Sequence, residues 1–168
     1  DGFYTAVSLA PSFAAIYSDW RLKRIVSALR RLGFNYIAET AIGAQITAEL
    51  TASLCGEDNK TLIASACPAV VNYIEKYRQE LIPALAGVVS PMIAHAKTMI
   101  AKLSKEKKRE EFKIIFIGPC AAKKKEAERT EFAGLVDAAI TFDELNEWLE
   151  RENISLNECE ESDFDEIS

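Results

Sequence analysis

One histidine, two tryptophans and two methionines are all that this 168-residue chain has of those types. Its four cysteines, Cys55, Cys67, Cys120 and Cys159, form no C-x-x-C pair and match no zinc-finger spacing, which excludes a zinc ribbon and a dithiol redox motif. No apolar run is long enough to cross a membrane: residues 81–99 are interrupted by Pro83, Gly87, Ser90, Pro91, His95 and Lys97. The start, Asp1-Gly2-Phe3-Tyr4, lacks the basic region of a signal peptide. The expectation is a cytoplasmic protein with no membrane partner and reduced thiols. Because the first residue is not Met, a piece of a longer chain is also expected. Net charge is −6, so no nucleic-acid partner is expected. The basic runs at 102–109 and 123–129 read as solvated helix faces.

What is present is a 49% apolar chain, enough for one α/β core. Aromatic and β-branched runs predict strands at 3–9, 34–38, 61–66, 112–117 and 137–140. Apolar residues at helical spacing predict helices at 20–32, 41–54, 69–78, 92–103 and 141–149. Gly33 and Gly56 are stops for the first two helices, Pro68 opens the third, and Thr141 caps the last. Alternation of this kind calls for an α/β fold: a mostly parallel sheet of four to six strands with helices on both faces. Residues 1–153 form the predicted lobe. Residues 154–168 read as a loose acidic tail or the start of a connection.

In open α/β sheets ligands gather beyond the carboxyl ends of the strands. Four peptides are expected there: Ala10-Pro11-Ser12, Ser65-Ala66-Cys67-Pro68, Ser90-Pro91-Met92, and Gly118-Pro119-Cys120 running on through Lys123 and Lys124. Two of them place Cys beside Pro at a strand-to-helix junction, where the helix dipole favours thiolate, the ligand form for iron–sulfur clusters. Two unrelated, inert cysteines are the plainer alternative.

Ser65-Ala66-Cys67-Pro68 resembles the TSCCP signature of the iron-only hydrogenase active-site domain, and Pro119-Cys120-Ala121-Ala122-Lys123-Lys124-Lys125-Glu126 resembles its PCxxKKxE signature. Ser90-Pro91 is similar to that family's SPQQ turn, Ala10-Pro11-Ser12 to its first loop, and the helix after Thr141 to the one following the second signature. The resemblance implies an iron-only hydrogenase-like lobe. It makes Cys67 and Cys120 two metal ligands of a 4Fe–4S cluster. It gives Lys123 the catalytic role of contacting a cyanide of a diiron centre, and it implies that Pro11, Ser12, Ser65, Ala66, Ser90, Met92 and Glu126 bind or line the cofactor. Spacing also allows an ion pair between Lys123 and Glu126.

The departures are equally specific. Ala66 replaces the first cysteine of TSCCP, Met92 replaces a glutamine, and Thr51 and Leu54 fall where acidic relay residues are expected. These are losses of proton transfer. The signature that supplies the other two ligands is absent, so the 4Fe–4S cluster and a diiron centre are expected in a full-length parent and no cofactor in this piece alone. Cys55, Cys159 and His95 read as non-ligands, His95 as a satisfied or surface residue. The implied function is proton reduction to hydrogen, or hydrogen or redox sensing. The alternative is a non-catalytic iron–sulfur binding or assembly protein of the prelamin-recognition-factor-like group. Implied partners are the missing second lobe and an electron donor such as ferredoxin or an attached iron–sulfur domain. An apolar face with Phe13, Val89 or Ile93 exposed is expected, and a dimer through it.

Overall fold

The computed structural model describes residues 2–17, 19–55 and 61–165. Four parallel strands form one sheet in the order β2-β1-β3-β4: β1 Tyr4–Leu9, β2 Tyr36–Glu39, β3 Phe112–Gly118 and β4 Ala138–Thr141. Among the described residues, seven α-helices connect and cover them: α1 Phe13–Ile16, α2 Arg24–Arg31, α3 Ala41–Cys55, α4 Pro68–Tyr77, α5 Pro91–Leu103, α6 Ala122–Ala127 and α7 Phe142–Arg151. In β1, Ala6, Val7, Ser8 and Leu9 are all buried. Successive strand residues face opposite sides, so both faces of the sheet are covered, as the alternating pattern predicted.

Local sequence explains most boundaries. Gly33, at φ +96°, takes the left-handed position after α2. Its N–H bonds Arg30 O and the Phe34 N–H bonds Leu29 O, closing the helix with a Schellman motif. Thr141 caps α7, accepting from the Glu144 N–H while Glu144 accepts from the Thr141 N–H, a complete capping box. At the amino end of β4, Asp137 accepts from the Ile114 N–H, Arg109 and Lys113. Burial alone would raise the Asp137 carboxyl, but these donors outweigh it and hold it below the usual carboxylate range.

Helices α3 and α5 touch backbone to backbone. A methyl added at Gly43 would collide with the Pro91 carbonyl and lie 2.8 Å from both His95 Cβ and His95 N. His95 is fully buried there. Its Nδ1 is 2.7 Å from Ser8 Oγ, which is 2.7 Å from Thr40 Oγ1.

Several expectations change. Residues 61–66 are not a strand: among the described residues this segment is extended, with one bridge, Ile63 to Leu85. It pairs with neither edge strand, β2 or β4, because its one bridge goes to Leu85. The helix expected at 20–32 is a 3₁₀ turn, Asp19–Arg21, followed by the shorter α2. Gly56 lies outside the described residues. The expected loose tail is held through Asp165. Phe164 meets Phe13 edge-on at 5.4 Å, Cys159 is buried, the Asp165 N–H bonds Ile37 O, and the Ile37 N–H bonds Asp165 Oδ2. Phe13 and Ile93 are buried and Val89 is partly buried, so none of them makes the expected exposed face. Leu50 and Leu54 on α3, Val70, Tyr73 and Tyr77 on α4, and Ile82 beyond it are exposed instead.

Candidate functional site

The carboxyl ends of β1, β2 and β3 converge on a cavity of about 330 Å³. Ala10, Pro11 and Ser12 line it from the loop after β1, Thr40 from the end of β2, and Phe116, Pro119 and Cys120 from β3 and the turn beyond. Ala44 comes from α3, Pro91 and Met92 from the start of α5, Ala66 from the extended segment, and Lys123 from α6. Sequence reasoning placed Pro11, Ser12, Ala66, Met92, Cys120 and Lys123 at one site, and the fold brings these six together. It did not find Thr40, Ala44 or Phe116, since no local motif marks them; only strand order puts them at the same edge.

Lys123 ties the two cysteine peptides. Its N–H bonds Cys120 O at 3.1 Å, and its Nζ reaches Ala66 O at 3.3 Å, one residue before Cys67. The same Nζ pairs with Glu126 Oε2 at 2.7 Å, and both side chains are largely buried, at 12% and 5% exposure. A buried lysine requires such a partner, so the expected pair forms inside the protein. Cys67 and Cys120 are both exposed thiols. Cys67 is the N-cap of α4, with Pro68 at the first helical position. It follows the extended segment instead of a strand; only Cys120 sits at a strand-to-helix junction.

Ser65, Ser90 and Glu126 line a different cavity, about 220 Å³, between α4 and the segment after α6. Ser65 donates to Val88 O. The Lys123–Glu126 pair separates the two cavities, since each partner lines one of them. The run at 123–129 is therefore structural at both ends, against its reading as a solvated face. Arg129 forms a bidentate pair with Glu75, at 2.7 and 3.0 Å, and bonds Asn72, joining this segment to α4. Lys124 pairs with Glu144 of α7, and that ammonium, with the Thr141 N–H, holds the Glu144 carboxyl down at about 2. Of the run at 102–109, Lys102 bonds the Tyr36 hydroxyl and Arg109 bonds the Gly134 and Phe112 carbonyls.

The donor set tests what cofactor fits. Cys120 lines the cavity and Cys67 does not, although it follows Ala66, which does; two thiols are half of the four that hold a 4Fe–4S cubane. Among the described residues no group of three or more His, Cys, Asp or Glu is arranged to hold a metal. Cys159 is buried in the tail, with Arg31 3.6 Å from its Sγ. Cys55 is exposed at the end of α3 and lines a groove that also reaches Ala66. Thr47 and Thr51 line that groove too, but their hydroxyls turn back to Ala44 O and Thr47 O, leaving it mainly apolar. Cys67 and Cys120 could fill two corners of such a cluster, and the described residues offer no third or fourth beside them. No helix among the described residues is long and apolar enough to cross a membrane.

The family model described as iron only hydrogenase large subunit, C-terminal domain, matches residues 4–168. Among curated proteins, the cytosolic Fe–S cluster assembly factor NAR1 of Vanderwaltozyma polyspora is 34% identical over 86% of this chain and 28% of its own length. The NADP-reducing hydrogenase subunit HndD of Solidesulfovibrio fructosivorans is 32% identical over 84% of the chain and 27% of its length. Iron hydrogenase 1 of Clostridium pasteurianum is 30% identical over 84% and 27%. Among solved structures, a variant of the FeFe-hydrogenase HydA1 from Chlamydomonas reinhardtii superposes with a TM-score of 0.84 at 26% identity, covering 98% of this chain and 46% of that one. The chain spans little more than a quarter of the curated relatives it matches. With the signatures in order, the parallel sheet and the shared fold all agreeing, the chain belongs to the iron-only hydrogenase large subunit, C-terminal domain family.

Proposed function

We propose that this lobe supplies two thiolates, Cys67 and Cys120, to a 4Fe–4S cluster in an iron–sulfur redox protein, with its remaining ligands on a second lobe of the same protein. The observation that carries this reading is the Lys123 side chain, which starts beside Cys120 and ends on the carbonyl before Cys67 at the wall of one cavity. When bound, the cluster supplies electron transfer, and an adjoining diiron centre would supply reduction of protons to hydrogen. Lys123 holds a positive charge at the cavity wall, where an anionic ligand would be stabilised, and Glu126 fixes its position. Pro11 and Ser12 line the same cavity. Ala66 offers a methyl group where a proton carrier is needed, and Met92 adds a thioether with no proton to give. The role is therefore redox exchange or sensing with slow turnover, fed by an electron donor such as ferredoxin or an attached iron–sulfur domain. The exposed strip on α3 and α4 is the face we assign to the second lobe or, in its absence, to a dimer.

A second reading, an iron–sulfur binding or assembly protein of cytosolic type, draws support from Ala66 and Met92 on the cavity wall and from the NAR1-named relatives. Both readings are tested in the full-length parent reconstituted with iron and sulfide. Cys67→Ala should remove cluster iron, because alanine offers no ligand; full iron in that variant sinks the ligand assignment. Ala66→Cys should raise hydrogen evolution if a diiron centre is present, because a thiol there donates and accepts a proton. Absence of cyanide and carbonyl infrared bands, with no hydrogen from either protein, favours the assembly role.

A further inference from the structure

Helix α1 is one turn long, yet Pro11 and Ser12, which line the Lys123 cavity, lead directly into it. Four residues fall far below the roughly 12 that an isolated helix requires, so α1 depends on what its side chains hold. Two buried aromatic residues anchor it. Tyr17 meets Phe142 of α7 edge-on at 5.9 Å and donates to Asn146 Oδ1 at 2.7 Å. Phe13 meets Phe164 at 5.4 Å. The first anchor rests on a capped helix. The second rests on the tail, which has neither helix nor strand from 159 to 165.

Polar bonds tie this tail across α2. Arg24 donates to Asn157 O, the Ser162 N–H to Lys23 O, and Arg30 to Ser162 Oγ and Asp165 Oδ2. Lys23 pairs with Asp163 at 3.3 Å. One residue past Phe164, the Asp165 carboxylate also accepts from the Ile37 N–H of edge strand β2, at 2.7 Å. Exposed pairs contribute little singly, and a segment held this way opens without the sheet.

We propose that residues 157–165 are a strap that latches one wall of the Lys123 cavity. Docked, Phe164 holds Phe13 and so fixes Pro11 and Ser12 at the cavity. Undocked, it frees α1 and lets that wall move. Asp165 is the catch, because one carboxylate joins Arg30 to the edge of β2. Neither Phe164 nor Asp165 lines the cavity, so both are positioning residues. The latch rests on the fold alone and holds whether or not a cluster is bound.

The 168-residue chain therefore serves for the test. Its two methionines give two methyl NMR signals: Met92 lines the cavity, and Met99 is buried in the core without lining it. Phe164→Ala and Asp165→Ala are compared with the parent. Both should move the Met92 signal along one line, Phe164→Ala farther, as a shift of population between docked and undocked forms requires, while Met99 stays in place. The Phe13 and Tyr17 amides, bonded to Ala10 O and Phe13 O, should exchange about fivefold faster in Phe164→Ala, the weight of one aromatic pair. Exchange in β3 should not change. Asp165→Ala leaves both rings in place, so it decides the matter if Phe164→Ala does not fold. A Met92 signal unmoved by release of the strap would overturn the proposal. Equal changes at Met99 and in β3 would also overturn it, since they mark general loosening and not a latch.

Discussion

Cys120 leaves the end of β3, a strand paired on both sides, whereas Cys67 hangs on a segment with one backbone bridge to the rest of the protein. The Cys120 arm is fixed by two strand ladders and by packing at Gly118, where an added methyl would come within 2.7 Å of the Phe116 ring and 2.9 Å of Ala10 Cβ. The Cys67 arm is held by side chains: Ser65 on Val88 O, Lys123 on Ala66 O, and Arg129 on Glu75 and Asn72. Ladder bonds break only with the sheet, while side-chain ties can break one at a time. One wall of the cavity is therefore part of the global fold and the other has its own local stability.

The strongest challenge to that difference is Gly118→Ala. The buried Phe116 ring and Ala10 must both give way, so overpacking should cost about 1–3 kcal/mol. At this chain length that lowers the melting temperature by roughly 3–10 °C. An unchanged thermal melt would mean the Cys120 arm is looser than its packing indicates. Arg129→Ala should act on the other arm. The pair with Glu75 is partly exposed and contributes under ~1 kcal/mol globally. Amide exchange over residues 61–77 should nevertheless quicken several-fold while β3 stays unchanged. Equal acceleration in β3 would erase the distinction between the arms.

The smallest expected effect sharpens the Cys120 side. Glu144, whose carboxyl is held at about 2 against an ordinary 4.5, joins α7 to α6 through Lys124. A lowered carboxyl contributes stability that is fully present above the ordinary value and is lost as pH falls through the folded one. Thermal melts of the parent should therefore decline more steeply than those of Glu144→Gln between pH 4.5 and 2. Parallel declines would show that the exposed pair is screened by solvent.

The difference between the arms also marks what could be read from sequence. β1, β3 and β4 and the Gly33 and Thr141 helix ends were legible because each is dictated by neighbouring residues: strand propensity, a left-handed glycine and a capping box. The segment before Cys67 was misread as a strand because its apolar run carries the same local signal. Whether it joins the sheet is decided by its partner, and this segment bridges Leu85, outside the sheet, instead of a strand edge. The same holds for the tail, where acidity suggested freedom but Phe164 and Asp165 find partners on Phe13 and Ile37. Of the expected site, the peptides were legible and their division was not. Ser65, Ser90 and Glu126 face a second cavity because the Lys123–Glu126 pair stands between the two groups.

Gly43 carries a last consequence. Where two helices are separated by side chains, a substitution on either can be absorbed by a change of rotamer. Here the spacer between α3 and α5 is a hydrogen atom, and there is nothing left to compress. The neighbours of that contact are Ala44 on one helix and Met92 on the other, and both line the cavity that holds Lys123. The width of the cavity on that side is thus gauged by a residue with no side chain, which never touches what the cavity contains. Evolution can retune this wall by exchanging Ala44 or Met92 while the two helices stay at a fixed distance, as interchangeable fittings on a rigid frame.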